Sequence, residues 1–382
     1  MAAPCLDPGQ EAFWESREPA ILANPRDPAA VAAASRIGER RDSGDSGSEG
    51  LVCFLTSGST GHPKIVGFTR EALLASARAV NAFLGIDSDD IWLRVLPVFH
   101  VGGFQVAARA WAAGARVVSP DEAWDPGAFV RLCAGHGVTR ASLVPTQVHD
   151  LALAGARAPG SLRTVLVGGG ELRPALFERA LSLGWPVRAS YGLTEAASTV
   201  AIQAESEPSC SRLTVLPHWD ADLAEDGTLQ LRGPSLPRRI GTWDAAAGGY
   251  AWADFQPPLA TRDRVRLSGR SLVFDGRADR VIKRLGELVD LSVAERALAD
   301  AALAGGAFGR VRLIAEPDAR DGHRLVLECL DANEGAAVAA LFDEGQPPFA
   351  RLSGIRTVPC LRLSPLGKPV GPGPADSVPA AS

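Results

Sequence analysis

The sequence predicts an α/β protein with a large N-terminal domain, built from a parallel sheet covered by helices plus a small β unit, and a small α+β C-terminal domain. Three observations predict this fold. Strand-like runs alternate with helix-like stretches over residues 51–198, as is typical of parallel sheets covered by helices. Short strands and turns fill residues 213–273. The chain of 382 residues is also too long for one ordinary hydrophobic core.

Composition excludes several classes of function. Hydrophobic residues make up 46% of the chain, which indicates a folded protein rather than a disordered one. The formal net charge of −5 provides no basic surface for nucleic acid. The N-terminus lacks the features of a signal peptide, and no window has the apolar length of a membrane span. The cysteines lie far apart, and Cys53 is expected to be a reduced, buried thiol. We therefore expect a soluble cytoplasmic protein.

The first half of the chain supplies the elements of the predicted sheet. A helix-like stretch at 31–39 and a charged, Ser/Gly-rich link at 40–50 come first. The predicted strands are 51–55, 91–96, 115–118, 141–144, 164–167 and 186–189. The helix predicted over 71–83 has one apolar face, made by Leu73, Leu74, Ala77, Val80 and Phe83.

The second half predicts a separate small domain. Residues 276–286 are dense in charge and glycine, which is typical of a hinge. Helices are predicted at 294–302 and 336–342, with strands at 311–315 and 325–330. We therefore divide the chain into an N-terminal segment and linker (1–50), a core domain (51–276) and a C-terminal domain (277–382).

The polar loop that runs from Thr56 to Lys64 is the first candidate for chemistry. It follows the strand at 51–55 and precedes a helix-like stretch that begins near Thr69. Its glycines allow close approach of the backbone, its amides and hydroxyls can donate hydrogen bonds, and Lys64 adds positive charge, which suits a polyphosphate. It lacks the Gly-Lys-Ser/Thr of a Walker A motif. A polar surface loop between a strand and a helix is the alternative.

Two further motifs follow predicted strands. The run 96–103 (LPVFHVGG) puts His100 at the carboxyl end of a strand, where a substrate can pass; a helix-capping histidine followed by glycines for close helix packing is the alternative. Gly168, Gly169, Gly170 and Glu171 follow the strand at 164–167. These glycines let a flat ring lie against the backbone, and a strand-to-helix turn is the alternative.

The fourth motif places three useful groups in one loop after a strand. Tyr191 can stack on a base, Thr194 can donate a hydrogen bond to phosphate, and Glu195 can hold Mg²⁺. A surface loop with a helix N-terminus at Thr194 is the alternative.

Three motifs in the second half are, taken singly, also compatible with solvated loops. Asp263 closes the run Thr-Arg-Asp, and its carboxylate can accept from both ribose hydroxyls. Arg277 and Asp279 lie in the charged segment that continues to Gly286. Lys368 ends a Ser-Pro-Leu-Gly-Lys loop near the C-terminus.

Taken together and in this order, the seven motifs resemble the acyl-adenylate-forming superfamily of acyl-CoA synthetases, peptide-synthetase adenylation domains and luciferases. The resemblance spans residues 51–368. Within it, 96–103, 168–171 and 191–198 look most like the o-succinylbenzoate–CoA ligases of menaquinone biosynthesis. The resemblance implies activation of a carboxylic acid by ATP to an acyl-AMP, followed by transfer to CoA, with Mg²⁺ as cofactor. The core domain 51–276 is then an AMP-binding adenylation core.

The resemblance also implies roles for individual residues. Those implied at the β- and γ-phosphates of ATP are Thr56, Ser57, Gly58, Ser59, Thr60, Gly61 and Lys64. Those implied around adenine are Gly168, Gly169, Gly170, Glu171 and Tyr191. Thr194 is implied at the α-phosphate, Glu195 at Mg²⁺, and Asp263 with Arg277 at the ribose.

The remaining roles concern the acid and the second half-reaction. Lys368 is implied as the adenylation lysine, Asp279 as the hinge of a mobile C-terminal domain, and Gly286 as the entrance of the pantetheine arm. His100 is the fourth residue, besides Lys368, Thr194 and Glu195, that we expect to take part in catalysis. Arg109 lies just past the His100 loop, where it can face a dicarboxylate or lie in a core helix or at the surface.

The residues leave alternatives open for the function. Arg262 stands where the family has glycine, at a position where a side chain can crowd the turn before Asp263. The acid can be another aryl or acyl acid, the acceptor can be a carrier-protein thiol, and a nucleotide-binding paralogue without turnover is the non-enzymatic alternative. The sequence does not indicate an oligomeric state.

Overall fold

The computed structural model describes residues 8–41, 48, 50–56, 63–120 and 123–361, and the side chains of these except at 38–41. The described residues form two compact units. Unit 1 takes its residues from Met1–Asp222, Gln230–Ala260 and Leu267–Leu272, and unit 2 from Leu223–Leu229, Thr261–Arg266 and Val273–Ser382.

The secondary structure of the described residues alternates between helices and strands up to α7 and is mainly β-sheet from there to α8. The helices are α1 (Glu11–Glu15), α2 (Pro28–Arg41), α3 (Arg70–Leu84), α4 (Val101–Ala113), α5 (Pro126–His136), α6 (Pro145–Leu153), α7 (Pro174–Ser182), α8 (Leu291–Ala304) and α9 (Ala332–Glu344). Short 3₁₀ turns lie at Thr194–Ala196, Ala278–Arg280 and Pro348–Ala350.

The strands fall within both units. They are β1 (Ala20–Leu22), β2 (Val52–Thr56), β3 (Lys64–Phe68), β4 (Ile91–Leu93), β5 (Arg116–Val118), β6 (Arg140–Leu143), β7 (Thr164–Val167), β8 (Val187–Leu193), β9 (Ser198–Ile202), β10 (Arg212–Val215), β11 (Asp220–Leu223), β12 (Thr228–Arg232), β13 (Arg239–Asp244), β14 (Gly249–Asp254), β15 (Leu259–Ser268), β16 (Ser271–Arg277), β17 (Val281–Arg284), β18 (Glu287–Asp290), β19 (Val311–Asp318), β20 (Gly322–Cys329) and β21 (Gly354–Thr357).

The predicted parallel sheet forms the centre of unit 1. Strands β5, β4, β6, β7 and β8 are parallel neighbours in that order, and β9 and β10 continue the sheet in antiparallel fashion. The strand predicted at 164–167 is β7 with the same bounds. This confirms the α/β fold class and the parallel core of the N-terminal domain.

Helix α3 begins where its capping residue predicts. The Thr69 side chain accepts a hydrogen bond from the Ala72 amide at 3.1 Å, which satisfies one of the free amides of the first turn. On the predicted apolar face, Leu73, Ala77 and Val80 are fully buried. Helix α3 packs on α4, and α4 in turn packs on β4, β6 and β9.

The strand predicted at 51–55 is present as β2, but it does not belong to the parallel sheet, so that part of the prediction was wrong. It lies in a second sheet with the order β1-β2-β3-β13-β14. The prediction missed β3, in which Ile65, Val66 and Phe68 are fully buried. The polar loop therefore joins two antiparallel strands, with Thr56 opposite Lys64, rather than a strand and a helix.

The described part of the N-terminal segment packs into unit 1. Strand β1 pairs in parallel with β2, and the Phe13 ring is completely buried. The Arg70 guanidinium donates to the carbonyls of Phe13 and Glu18, both at 2.7 Å, and to the Gly50 carbonyl at 3.1 Å. The thiol of Cys53 is free and buried as expected, and burial raises its pKa to about 12.

Unit 2 contains the predicted α+β domain. Strands β19, β20 and β21 form one sheet, β17 and β18 form a hairpin, and α8 packs with α9. Its core joins Leu298 of α8, Leu327 of β20 and Phe342 of α9. Strands β11, β12, β15 and β16 contain residues of both units. None of the described helices is long and apolar enough to cross a lipid bilayer.

A buried carboxylate links the first residues of the parallel strands. Asp90 is completely buried just before β4, and its Oδ1 accepts from Thr139 Oγ1 at 2.6 Å and from Arg140 Nε at 2.9 Å. Arg140 also donates to Thr164 Oγ1 at 2.7 Å, at the start of β7. Burial acts to raise the pKa of Asp90, but the Arg140 and Thr139 hydrogen bonds and the Arg140 charge together hold it below its ordinary value.

Replacing Asp90 with alanine is expected to lower the free energy of unfolding by about 3–5 kcal/mol at neutral pH, because the buried Arg140 charge loses its partner. Since the folded-state pKa of Asp90 is lowered, the stabilisation is complete above the unfolded carboxyl pKa of about 3.9 and is lost as pH falls through the folded pKa. Urea unfolding followed between pH 7 and acid measures both the loss and its decrease.

The matched control for this change is Asp89→Ala, since Asp89 is the exposed neighbour of Asp90. It is expected to change the free energy of unfolding by no more than about 0.5 kcal/mol. Equal losses in the two variants, or a loss in Asp90→Ala that does not depend on pH, would contradict the assignment.

Candidate functional site

The third and fourth motifs lie next to each other at one edge of the parallel sheet. Strands β7 and β8 are parallel neighbours, and Val167 pairs with Ala189. The glycine loop that follows Val167 therefore starts beside Ser190. A Cβ atom on Gly168 would lie 2.7 Å from Ser190 Oγ, so this position has no room for a side chain. Ligands of open parallel sheets bind at this edge.

The glycine loop leaves its backbone accessible. Gly169 has φ +75°, a left-handed conformation that favours glycine, and both Gly169 and Gly170 are exposed. The Glu171 carboxylate accepts from Arg173 Nη1 at 2.8 Å. The loop joins β7 to α7, as the alternative interpretation expected, and its open backbone also leaves space for a flat ring. The adenine role stays a prediction.

The fourth motif forms a tight turn between β8 and β9. Leu193 pairs with Ser198, and Thr194–Ala196 between them is a 3₁₀ turn rather than the start of an α-helix. The strands carry an irregularity at Gly192, where a Cβ atom would lie 1.5 Å from the Ser198 carbonyl oxygen. Only glycine fits at that position, so the turn has a defined path.

An ion pair brings the first and fourth motifs together. Lys64 Nζ lies 3.1 Å from Glu195 Oε1, although the two residues are far apart in the sequence. Both side chains are partly exposed, at 38% and 23%. A cation suited to phosphate and a carboxylate suited to Mg²⁺ are therefore in direct contact and accessible to a ligand.

The ends of the polar loop are anchored in the second sheet. Thr56 and Lys64 are paired across the β2–β3 hairpin, and Thr56 Oγ1 donates to the Lys64 carbonyl at 3.3 Å. The other residues predicted to hold phosphate lie outside the described residues: Ser57, Gly58, Ser59, Thr60 and Gly61.

His100 occupies the N-cap position of α4, as the alternative interpretation expected, although its side chain makes no capping hydrogen bond. Its ring lies 4.8 Å from the Phe99 ring. A Cβ atom on Gly103 would lie 2.2 Å from the Pro97 carbonyl oxygen, so this glycine lets α4 pack closely on the preceding segment. The substrate role of His100 stays a prediction.

Within unit 2, Arg277 links the fifth and sixth motifs. Its Nη1 lies 3.3 Å from Oδ1 of the buried Asp263, and its Nε and Nη2 donate to the two oxygens of Asp279 at 2.9 and 2.8 Å. The hydrogen bond from Arg277 is the main reason why the pKa of Asp279 lies below its ordinary value. Two carboxylates thus share one guanidinium.

Arg262 does not crowd Asp263. Residues 259–268 form strand β15 instead of a turn. Successive side chains of a strand point to opposite faces; Asp263 is buried, and Arg262 is exposed. The arginine therefore points away from the carboxylate that follows it.

Gly286 lies at the tip of the β17–β18 hairpin. Leu285 and Gly286 both have positive φ angles, of 53° and 87°, as in tight hairpin turns. No atom lies within 4 Å of a Cβ placed on Gly286, so this tip is open within unit 2. Lys368 and its loop lie outside the described residues.

Arg109 of α4 is a buried cation. It is 1% exposed, donates from Nη2 to Thr199 Oγ1 at 2.9 Å and lies 5.9 Å from the centre of the Trp92 ring. Burial lowers its pKa to about 10, so it stays charged at neutral pH. The described part of the chain places no carboxylate within ion-pair distance of it, and its Nε has no partner there.

Other polar atoms of α4 and of two strands that it packs against share this condition. Trp92 Nε1 of β4 and Gln105 Oε1, one helical turn before Arg109, are buried without a hydrogen-bond partner among the described residues. Ser142 Oγ, on strand β6 against which α4 packs, is in the same state. Because buried polar groups are normally paired, these atoms are candidates for contact with a ligand or with ordered water.

Two serines that contact the motifs were not predicted from the sequence. Ser190 Oγ donates to the Val167 carbonyl at 3.0 Å beside the glycine loop. Ser76 Oγ of α3 donates at 3.0 Å to the carbonyl of Ala197, in the turn that follows Glu195. The available signal was a small polar residue within an otherwise apolar strand or helix face.

A multi-ligand metal cluster does not occur in the part of the chain that the structure describes, where no three His, Cys, Asp or Glu residues converge. A single carboxylate such as Glu195 nevertheless fits Mg²⁺, which usually keeps water and substrate phosphates as its other ligands.

Comparisons with curated proteins point to one group of enzymes. The chain is 34% identical over 275 residues to the 2-succinylbenzoate–CoA ligase of Escherichia coli, a match that covers 71% of this chain and 56% of that protein. It is 38% identical over 147 residues to the enzyme of the same name from Staphylococcus epidermidis, covering 38% of this chain and 30% of that protein. The chain thus spans about half the length of the Escherichia coli relative.

Solved structures show the same fold. A variant of MenE from Escherichia coli with bound OSB-AMS superposes with a TM-score of 0.64 at 30% identity, covering 81% of this chain and 65% of that one. The o-succinylbenzoate CoA synthetase of Bacillus subtilis superposes with a TM-score of 0.70 at 23% identity, covering 83% and 67%. The AMP-binding enzyme family matches residues 12–236, more than half of the sequence. The chain belongs to the AMP-binding enzyme family.

Proposed function

We propose that this chain activates a carboxylic acid with ATP and transfers the acyl group to CoA, as an o-succinylbenzoate–CoA ligase of menaquinone biosynthesis. The observation that carries the proposal is the contact between Lys64 and Glu195 at 3.1 Å, next to the edge of the parallel sheet. Membership of the AMP-binding enzyme family and the name of the Escherichia coli relative support it.

The triphosphate would lie where the first and fourth motifs meet. Lys64 and the loop from Thr56 to Gly61 would hold the β- and γ-phosphates, and Thr194 would donate to the α-phosphate. Glu195 would hold Mg²⁺ together with the phosphate oxygens. Bound there, Mg²⁺ would neutralise negative charge on those oxygens. Lys64 would exchange its contact with Glu195 for one with phosphate.

The nucleoside would use groups from other motifs. The open backbone of the glycine loop and the Tyr191 ring suit a planar adenine. The Asp263 carboxylate can accept hydrogen bonds from both ribose hydroxyls, and Arg277 at 3.3 Å orients it. The bidentate contact between Arg277 and Asp279 keeps that guanidinium in one orientation.

The two half-reactions follow from the charges. A carboxylate oxygen of the acid attacks the α-phosphorus, the bond to the bridging oxygen breaks, and pyrophosphate leaves. Lys368 would offset the charge that builds on the α-phosphate in this step. The CoA thiolate then attacks the acyl carbon, and AMP leaves with the electron pair of the broken C–O bond.

We further propose that residues 277–382 form a mobile domain that follows the N-terminal segment 1–50 and the adenylation core 51–276. Turning about Asp279 would withdraw Lys368 after the first half-reaction and bring the Gly286 hairpin to the thiol. The open space around Gly286 within unit 2 is compatible with this role. Such alternation lets one cleft serve two reactions.

Arg109 supports a substrate with a second carboxylate. A buried guanidinium without an acidic partner is unfavourable unless a ligand supplies the charge, and the nearby unpaired atoms of Trp92, Gln105 and Ser142 would add polar contacts. o-Succinylbenzoate has an aromatic and an aliphatic carboxylate. One would react with ATP while the other pairs with Arg109.

Pyrophosphate release tests the proposed function directly. The purified chain, with ATP and Mg²⁺, is expected to release pyrophosphate with o-succinylbenzoate and to form the CoA thioester when CoA is present. Benzoate and a fatty acid serve as comparison acids. Pyrophosphate release with another acid would change the assigned substrate, and dependence on a phosphopantetheinylated carrier would change the assigned acceptor. No release with any acid would favour a non-catalytic nucleotide-binding protein.

Lys368→Ala is expected to slow adenylation by about 100-fold or more, because a group that stabilises charge in the transition state is lost. Transfer from preformed acyl-AMP to CoA should keep the rate of the unchanged chain, since that step does not use the lysine. Measuring the two half-reactions separately tests this. Equal losses in both would exclude the assigned role.

Arg109→Met is expected to raise KM for o-succinylbenzoate by about 10- to 100-fold, the size expected for losing a charge-assisted hydrogen bond. KM for ATP should not change, because the proposed nucleotide groups are untouched. Steady-state kinetics with each substrate measure both values.

The control for this change is Arg78→Met on the exposed face of α3, which should leave both KM values as they are. An unchanged KM for the acid in Arg109→Met would mean that Arg109 does not contact the substrate. A parallel rise of both KM values would indicate a general loss of structure.

A further inference from the structure

The turn that carries Thr194 and Glu195 ends in two residues with unusual backbone angles. Ala197 has φ +48° and Ser198 has φ +90°, and neither is glycine. An L-residue in this region has an unfavourable contact between Cβ and backbone, so it persists only where neighbouring contacts enforce it. Two consecutive positions of this kind, which begin two residues after Glu195, therefore need a restraint.

The restraint inside the turn is partial. The Ala197 amide donates to the Thr194 carbonyl at 3.1 Å, which closes the turn. Gly192 leaves the space that the Ser198 carbonyl occupies. These contacts fix where β8 and β9 approach each other, but they do not engage the carbonyl of Ala197.

Helix α3 supplies the missing contact. Ser76 Oγ donates to the Ala197 carbonyl at 3.0 Å, and both residues are completely buried. Helix α3 is attached to the polar loop, because β3 starts at Lys64 and ends at Phe68, and α3 starts at Arg70. The same helix therefore follows the strand that begins with Lys64 and holds the turn that bears Glu195.

We propose that Ser76 is a positioning residue: its hydrogen bond to Ala197 holds the strained turn so that Thr194 and Glu195 face the α-phosphate and the metal. The inference rests on the proposed function, which gives those two residues their ligands. Without the bond, the Ala197 backbone relaxes toward ordinary angles. Thr194 and Glu195 then sample several orientations, of which few suit the phosphates.

Ser76→Ala removes the donor without adding volume. Isothermal titration of ATP into the full-length chain with Mg²⁺ and no acid is expected to give a Kd about tenfold higher than that of the unchanged chain, the size of one lost hydrogen bond at a buried carbonyl. Electron paramagnetic resonance of Mn²⁺ in the presence of ATP should show the same weakening. The Tm should fall by a few degrees.

Ser235→Ala is the control for loss of a buried hydroxyl. Ser235 is completely buried, and its Oγ has no partner among the described residues. Removing it should leave ATP affinity unchanged and should not lower the Tm, because no hydrogen bond is lost. An effect on ATP affinity as large as that of Ser76→Ala would overturn the inference.

Ala197→Gly separates positioning from general stability. Glycine adopts φ +48° without strain, but a buried methyl group is lost, so the two effects on stability oppose each other and Tm should stay within about 2 °C. Glycine also adopts many other backbone angles at no cost, so the turn is held less firmly even though the Ser76 hydrogen bond remains. ATP affinity is therefore expected to fall about fivefold. A merely structural role of the turn would instead require affinity and Tm to fall together.

The outcomes distinguish this inference from the proposed function. If the unchanged chain binds ATP with Mg²⁺ but Ser76→Ala and Ala197→Gly bind it equally well, only the inference is overturned. If the unchanged chain binds no ATP, the proposed function and the inference fall together. If it binds ATP, the variants weaken binding and no acid is activated, the turn is a binding device and the catalytic proposal fails.

Discussion

The loops at the carboxyl ends of the parallel strands depend on how the strands are aligned, and the buried Asp90 carboxylate stabilises that alignment at the opposite end. It lies just before β4 and bonds to Thr139 and Arg140 at the start of β6, while Arg140 continues to Thr164 at the start of β7. A buried carboxylate is unfavourable unless its partners are in place. This network favours one alignment of the first residues of these strands. The same alignment determines where the carboxyl ends of the strands lie.

Two of the ion pairs in unit 1 have opposite physical characters. The contact between Asp90 and Arg140 is buried, so the loss of either residue leaves the charge of the other buried and unpaired. The contact between Lys64 and Glu195 is partly exposed, and such pairs contribute only about 0–1 kcal/mol to stability. The first therefore suits a permanent structural role. The second can be exchanged for phosphate and metal at small cost, which is what a binding site needs.

The sequence was a good guide where periodicity is local. The apolar face of α3 and the buried run of β7 follow from residue spacing alone. Strand β3 was not predicted because residues 65–68 are only a short apolar run. Its partners in the sheet, β2 and β13, cannot be identified from the sequence. The effect of Arg262 could not be derived from the sequence, because the run around it looks like a turn until the alternation of β15 is known.

The candidate site divides in the same way. Lys64, Glu195 and Asp263 are charged residues with a clear chemical use, so the sequence indicated them as candidates. The residues that hold them in place cannot be recognised from their residue types. Alanine is not a residue type that predicts a left-handed backbone, so Ala197 gave no signal. Ser76 is a small residue on a helix, and nothing in the sequence indicates its contact with Ala197. Such positions become visible only when backbone angles and long-range contacts are known.

The pairing of Thr56 with Lys64 bears on how the proposed nucleotide would enter and leave. A loop whose two ends are fixed in a hairpin has already lost most of the freedom that separates its ends. Lys64, which closes the hairpin, is thereby kept within reach of Glu195 whether or not a ligand is present. In the proposed reaction, pyrophosphate would leave and the next triphosphate would bind without the hairpin having to form again.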